Sequence, residues 1–188
     1  MRCSVLLQAL NELLEPERIQ DYGPNGLQFS GKSEIRRLMT GVTACEALIQ
    51  RAVQWEADAL LVHHGLFWRG DDPCITPILK QRLAPLFASD INLFAYHLPL
   101  DIHPEFGNNV QLAKTLGIEV TGTLPTSSSP DFGLMGRLPE PVSVDPWVQT
   151  VGTTLNHEVL HIPGSSKEVQ TIAWVTGAGY DEIHQAAA

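Results

Sequence analysis

Residues 59–65 read ALLVHHG. An apolar run this short has no room for several helical turns, so it predicts a buried strand, and that strand ends in two adjacent histidines and a glycine. In open α/β sheets chemistry gathers at the carboxyl ends of strands, where the backbone leaves the sheet and side chains converge. His63 and His64 stand at that position. Neighbouring strand residues face opposite ways, so both can serve one site only where the strand is ending and the chain turns between them. Gly65 is expected to permit that turn.

On the upstream side, 37–43 (RLMTGVT) predicts a strand stopping at a Thr-Gly step, and 44–55 has helical spacing through Ala47, Leu48 and Ala52. Strand, helix and strand within about thirty residues make a right-handed βαβ unit with a parallel pair. Downstream, LFWRGDDP is a loop placed to form the rim of a site. Residues 76–89, with Ile78, Leu79, Leu83, Leu86 and Phe87 at helical spacing, should pack on the sheet. INLFAY (91–96) is a third strand, followed directly by His97-Leu98-Pro99-Leu100-Asp101. A second strand end thus supplies a histidine and a carboxylate.

The N-terminal twenty residues space Val5, Leu6, Ala9, Leu10, Leu13 and Leu14 as an amphipathic helix, with Asn11, Glu12 and Glu15 interrupting any signal-like apolar core. In DYGPNGLQFSG, Pro24-Asn25-Gly26 reads as a surface turn, because Asn and Gly tolerate positive φ. Gly107-Asn108-Asn109 is placed to cap a helix over 110–116 that Gly117 ends. IEVTGTL is a further strand, and the polar TSSSP marks a boundary between a first α/β lobe, 1–124, and a second, 125–188. FGLMGRL, a helix over 146–155 and HEVLHI start the second lobe, which then repeats the opening order: TIAWVTGAG and YDEIHQAAA parallel RLMTGVT and ACEALIQRAV. The fold class expected is α/β, two related lobes with mixed, largely parallel sheets, the second incomplete. A strand and helix without a following parallel strand would expose a sheet edge, so a further C-terminal piece is expected.

At 188 residues, 44% hydrophobic and 18% charged, the chain suits a globular domain with a sizeable core. Twelve Lys and Arg against 21 Asp and Glu give a formal charge of −9, which argues against a coat for long nucleic acid but permits a small anionic ligand held by a metal. Cys3, Cys45 and Cys74 are scattered without CxxC spacing, so neither a disulfide framework nor a thiolate zinc site is suggested, and a reducing compartment fits. No apolar run approaches the roughly 20 residues that span a bilayer. A soluble, cytoplasmic protein is the expectation.

His63, His64, His97 and Asp101 are the candidate metal-binding constellation. Imidazole with carboxylate suits zinc, iron, manganese, nickel or cobalt, whereas magnesium or calcium prefers all-oxygen sites. A histidine pair alone reads equally as structure or as ligands; His97 and Asp101 at a neighbouring strand end tip it toward metal. His103 and Glu105 read as loop residues, and His157, His161 and His184 as structural or exposed. TGAGY lacks the full dinucleotide fingerprint, and neither a serine-hydrolase elbow nor a Walker loop occurs.

DYGPNGLQ, TGVTA, ADALLVHHGLFWRG and AYHLPLDIHPEFGNN resemble, in that order, hallmark segments of the YbgI-like dinuclear-metal proteins, known as GTP cyclohydrolase 1 type 2 homologues. The resemblance implies two α/β lobes with a pair of divalent metal ions between them, and toroidal homohexamers built from dimers or trimers. It implies that His63, His64 and Asp101 are metal ligands and that His97 lines the site. The family completes its metal pair with an HxxxE segment that has no match in these residues.

Two function classes follow. In the first, the metals activate water for hydrolysis of a nucleotide or purine-type small molecule, with His97 shuttling a proton or holding the substrate. In the second, the protein binds metal without turnover and acts in regulation or interaction. An inactive fragment is a third, bland reading.

Overall fold

The computed structural model describes residues 1–124, 132–177 and 179–187. The chain divides into two compact units, Met1–Leu100 and Asp101–Ala188. TSSSP, on which the expected lobe boundary rests, lies outside the described residues, as does Ala178 within TGAGY.

The first unit runs α1 (Cys3–Leu14), β1 (Gly26–Phe29), β2 (Leu38–Thr43), α2 (Glu46–Gln54), β3 (Ala59–His64), α3 (Pro77–Ser89) and β4 (Asn92–Ala95). Its sheet has the order β1-β4-β3-β2. β2 with β3 and β3 with β4 are parallel, and β1 joins β4 antiparallel, so the sheet is mixed and largely parallel, as the α/β reading requires. β1 is a strand where the sequence suggested only a turn. Its four residues are too few to show alternation, and Gly26, at φ 104°, ends the turn and begins the strand.

Strand parity sorts the core onto two faces. Leu60, Val62, Leu93 and Ala95 pack with Ile49 and Ala52 of α2 and with Leu83 and Leu86 of α3. Ala59, Phe94 and Tyr96 pack instead with Leu6 and Leu14 of α1. Helices therefore cover both faces of the central strands, and β4 is buried along its whole length. A fully buried Leu or Ile contributes roughly 1.5–3 kcal/mol, so this two-sided core is what holds the strand ends in place.

The lower edge of the sheet is tied by Asp58, immediately before β3. Its Oδ1 accepts from Lys32 Nζ at 2.8 Å, and its Oδ2 accepts the N–H groups of Arg36 and Arg37 at 2.9 and 3.0 Å. The hydrogen bond from Lys32, working against burial and helped by the two N–H groups, holds this carboxyl down from an ordinary 3.8 to about 2. A depressed carboxyl stabilises the fold fully above its unfolded value and loses that contribution as pH falls toward the folded one. Asp58→Asn is accordingly expected to destabilise the protein at pH 6, with the difference from wild type vanishing between about pH 4 and pH 2 in urea titrations. A difference that stays constant across that range would count against this role.

The short helix α4 (Leu98–Asp101) ends at the division between units. The second unit contains α5 (Asn108–Leu116), β5 (Glu119–Leu124), β6 (Gly133–Ser143), α6 (Val144–Leu155), β7 (Glu168–Trp174) and α7 (Ile183–Ala187). Its sheet has the order β5-β6-β7 and is antiparallel throughout, which departs from the largely parallel arrangement expected of both lobes. The reason is local. β6 leads into α6, yet Ser143 lies opposite Glu168 and the Val144 N–H donates to Lys167 O at 3.0 Å, so the chain returns at the end of the strand it left. HEVLHI lies on this return and belongs to no strand. At α5, Gly107 occupies the N-cap position with no side-chain cap; Asn109 is instead buried, donating to Phe132 O and accepting from the Thr176 N–H. Among the described residues no helix is long and apolar enough to cross a membrane.

Candidate metal centre

β3 and β4 are parallel neighbours, so their carboxyl ends lie side by side. His63 and His64 are the last two residues of β3, and His97 follows β4 by two residues. The three rings meet there, with centroids 4.5 Å apart for His63 and His64, 4.9 Å for His63 and His97, and 5.5 Å for His64 and His97. One nitrogen from each ring lies within 4.8 Å of the other two, and all three side chains are partly buried. The turn expected at Gly65 is not what brings the pair together: β3 stays paired through His64, opposite Thr43, and Gly65 is absent from the positive-φ glycines. Gly65 is needed for space. A Cβ there would run into the amide of Gln28, whose Oε1 accepts the Leu66 N–H at 2.8 Å.

Two rings have defined partners on Nδ1. His64 Nδ1 shares a hydrogen bond of 3.0 Å with Thr43 Oγ1. His97 Nδ1 bonds Asp21 Oδ1 at 2.8 Å, and the Asp21 side chain is only 3% exposed. Burial alone would raise the Asp21 carboxyl, but hydrogen bonds from His97, Asn25, the Leu98 N–H and the Tyr22 N–H together outweigh it and hold the group below 3.8. Asn25 donates to Asp21 Oδ2 at 2.9 Å and accepts the His97 N–H at 2.8 Å, so one residue of the turn braces both the carboxylate and the histidine backbone. Asp21 and Asn25 belong to the site, although turn chemistry alone gave them no such role.

The loop after β3 closes over this edge. The Arg69 N–H donates to Tyr22 O and Arg69 Nη2 to Asp21 O at 2.7 Å, and the Trp68 ring meets His97 edge-on at 5.0 Å. Asp101, the other expected ligand, is described with the second unit: it is 6% exposed and its Oδ1 accepts from Asn108 Nδ2 at 2.5 Å. His103 accepts the N–H groups of Glu105 and Phe106 on Nδ1, as a loop residue does. Glu105, His157, His161 and His184 are exposed.

Three imidazoles gathered on adjacent strand ends, one backed by a carboxylate, could hold a borderline divalent transition ion, and their chemistry fits such a group. The model of the Duf34/NIF3 (NGG1p interacting factor 3) family matches residues 1–188. The chain belongs to the Duf34/NIF3 family. Among its relatives in the Duf34/NIF3 family, a Pseudomonas aeruginosa protein called GTP cyclohydrolase 1 type 2 homolog is 45% identical over 185 residues, covering 98% of this chain and 73% of that protein. The similarly named Vibrio cholerae protein is 46% identical over 180 residues, 95% of this chain and 71% of the relative. The solved structure of protein ybgI, described as of unknown function, has a TM-score of 0.94 at 42% identity, covering all of this chain and 74% of that one. TTHA1606 from Thermus thermophilus gives 0.83 at 34%, over 98% and 74%. The resemblance drawn from the four sequence segments is thereby established at the level of family and fold.

Proposed function

We propose that this Duf34/NIF3 chain binds divalent transition metal through His63 and His64, with His97 beside them, and serves in metal-dependent hydrolysis of a nucleotide or purine-type small molecule. The observation that carries the metal reading is the triple of ring nitrogens within 4.8 Å of one another at the ends of two parallel strands. Zinc, iron, manganese, nickel and cobalt all suit imidazole donors, and the resemblance adds a second ion to the first. An ion held there supplies Lewis acidity and brings the pKa of water toward neutrality. The protein's own part is to orient: Thr43 steadies His64, and Asp21 with Asn25 steadies His97, so that His97 is placed to hold substrate or to move a proton at its Nε2. The nucleotide class rests on the names of the relatives, GTP cyclohydrolase 1 type 2 homolog.

Elemental analysis of purified protein, before and after reconstitution with zinc or cobalt, tests the first part; turnover of purine nucleotides by the reconstituted protein tests the second. The expected result is at least one retained ion per chain and turnover that stops on chelation. Retention without turnover on any purine nucleotide leaves a binding or regulatory protein, and absence of retained ion removes the basis of both readings.

A further inference from the structure

Four donors converge on the two oxygens of Asp21. Oδ1 accepts from His97 Nδ1 at 2.8 Å and from the Tyr22 N–H at 2.6 Å, and Oδ2 from Asn25 Nδ2 and the Leu98 N–H, both at 2.9 Å. An ionised carboxylate only accepts, so the shared proton on the His97 side must sit on Nδ1. The proton on Nδ1 fixes the neutral ring as the tautomer whose lone pair is on Nε2. The backbone on either side is held as well: the His97 N–H reaches Asn25 Oδ1, and the next N–H, of Leu98, reaches Asp21 itself. Ring and main chain of one histidine are therefore gripped by two residues of one turn, more than seventy positions earlier in the chain.

We propose that Asp21, braced by Asn25, is a positioning residue that locks His97 in the Nδ1-protonated tautomer and so sets Nε2 as the nitrogen offered to the histidine cluster. This deepens the reading of the cluster as a functional site, yet its direct test needs no bound ion. An asparagine at 21 cannot take over, because whichever way its amide turns, the NH2 faces two donors. With the proton fixed on Nδ1, Nε2 carries the lone pair that can take a proton or accept from a substrate, the role proposed for His97.

The test is 15N NMR of metal-free protein labelled in the histidine ring, with His97 assigned by its loss in His97→Gln. The wild-type ring is expected to show a proton on Nδ1 and an unprotonated Nε2; a proton on Nε2 instead overturns the proposal with no variant required. In Asp21→Asn and, as a milder change, Asn25→Ala, the spectrum should move toward the Nε2-protonated form. If Asp21→Asn is folded by circular dichroism and keeps the wild-type tautomer, Asp21 is a structural carboxylate only; an unchanged tautomer in Asn25→Ala alone overturns only the bracing role given to Asn25. If the tautomer shifts but no form of the protein binds zinc, the positioning role stands and the metal reading falls.

Discussion

Asn92→Ala is expected to lower the unfolding free energy by about 3–4 kcal/mol, a value reached only by a few named mechanisms. Asn92 opens β4, is fully buried, and uses its whole side-chain amide. Oδ1 accepts the Gly31 N–H at 2.9 Å and the Cys3 thiol at 3.3 Å, while Nδ2 donates to Lys32 O at 2.9 Å and to Asp58 O at 3.1 Å. Truncation strands the Gly31 N–H donor and the Lys32 carbonyl acceptor, each costing about 1–2 kcal/mol, and leaves a cavity costing about 1 more. Collapse is blocked on the Gly31 side, where the backbone already runs so close to Asp90 O that no Cβ would fit. Urea denaturation should show the midpoint falling by about 1.5–2 M with unchanged slope. A loss under about 1 kcal/mol would mean that the segment around residue 31 is not held through Asn92.

The second large effect is on metal. His64→Ala and His63→Ala are each expected to weaken zinc binding by at least a hundredfold. Zinc sites with four protein ligands bind with about 10–16 kcal/mol, so an average ligand carries about 3 kcal/mol, and each 1.4 kcal/mol is tenfold. Thr43→Val, which removes only the partner of His64 Nδ1, should cost about tenfold. Competition against a chromophoric chelator orders the four proteins. Equal affinities for wild type and both histidine variants would place any bound ion elsewhere.

Where the sequence spoke through periodicity, the fold followed it. α1, α3 and the strands at 38–43, 59–64 and 92–95 fall where apolar spacing put them, with β3 and β4 buried between the helices and β2 only partly covered, and with Val5, Leu13, Ile78 and Phe87 of the expected helix faces left exposed. β1 was hidden because GLQF is short and follows strong turn signals; its strand character comes from pairing with β4, a contact across nearly seventy residues. HEVLHI has Val159 and Leu160 side by side and no period of two, and it lies on the return to β7 outside any strand. The site was half legible. His63, His64 and His97 were visible because a strand end followed by histidine is a local pattern. Asp21 and Asn25 were not, since a carboxylate in a turn looks the same whether it caps the turn or grips a histidine brought up from another strand; only their place in DYGPNGLQ, one of the segments that carried the family resemblance, pointed to them.

β4, enclosed on both faces and flanked by β1 and β3, should be among the last segments to exchange its amide hydrogens, because only wholesale opening exposes it. His97 hangs two residues from that strand, and β3 delivers the other two rings from its neighbouring position. The donors are thus arrayed before any ion arrives, at an entropic cost already met by folding. Capture of an ion by such an edge should be a single bimolecular event whose observed rate rises linearly with ion concentration, without the plateau that a slow rearrangement imposes.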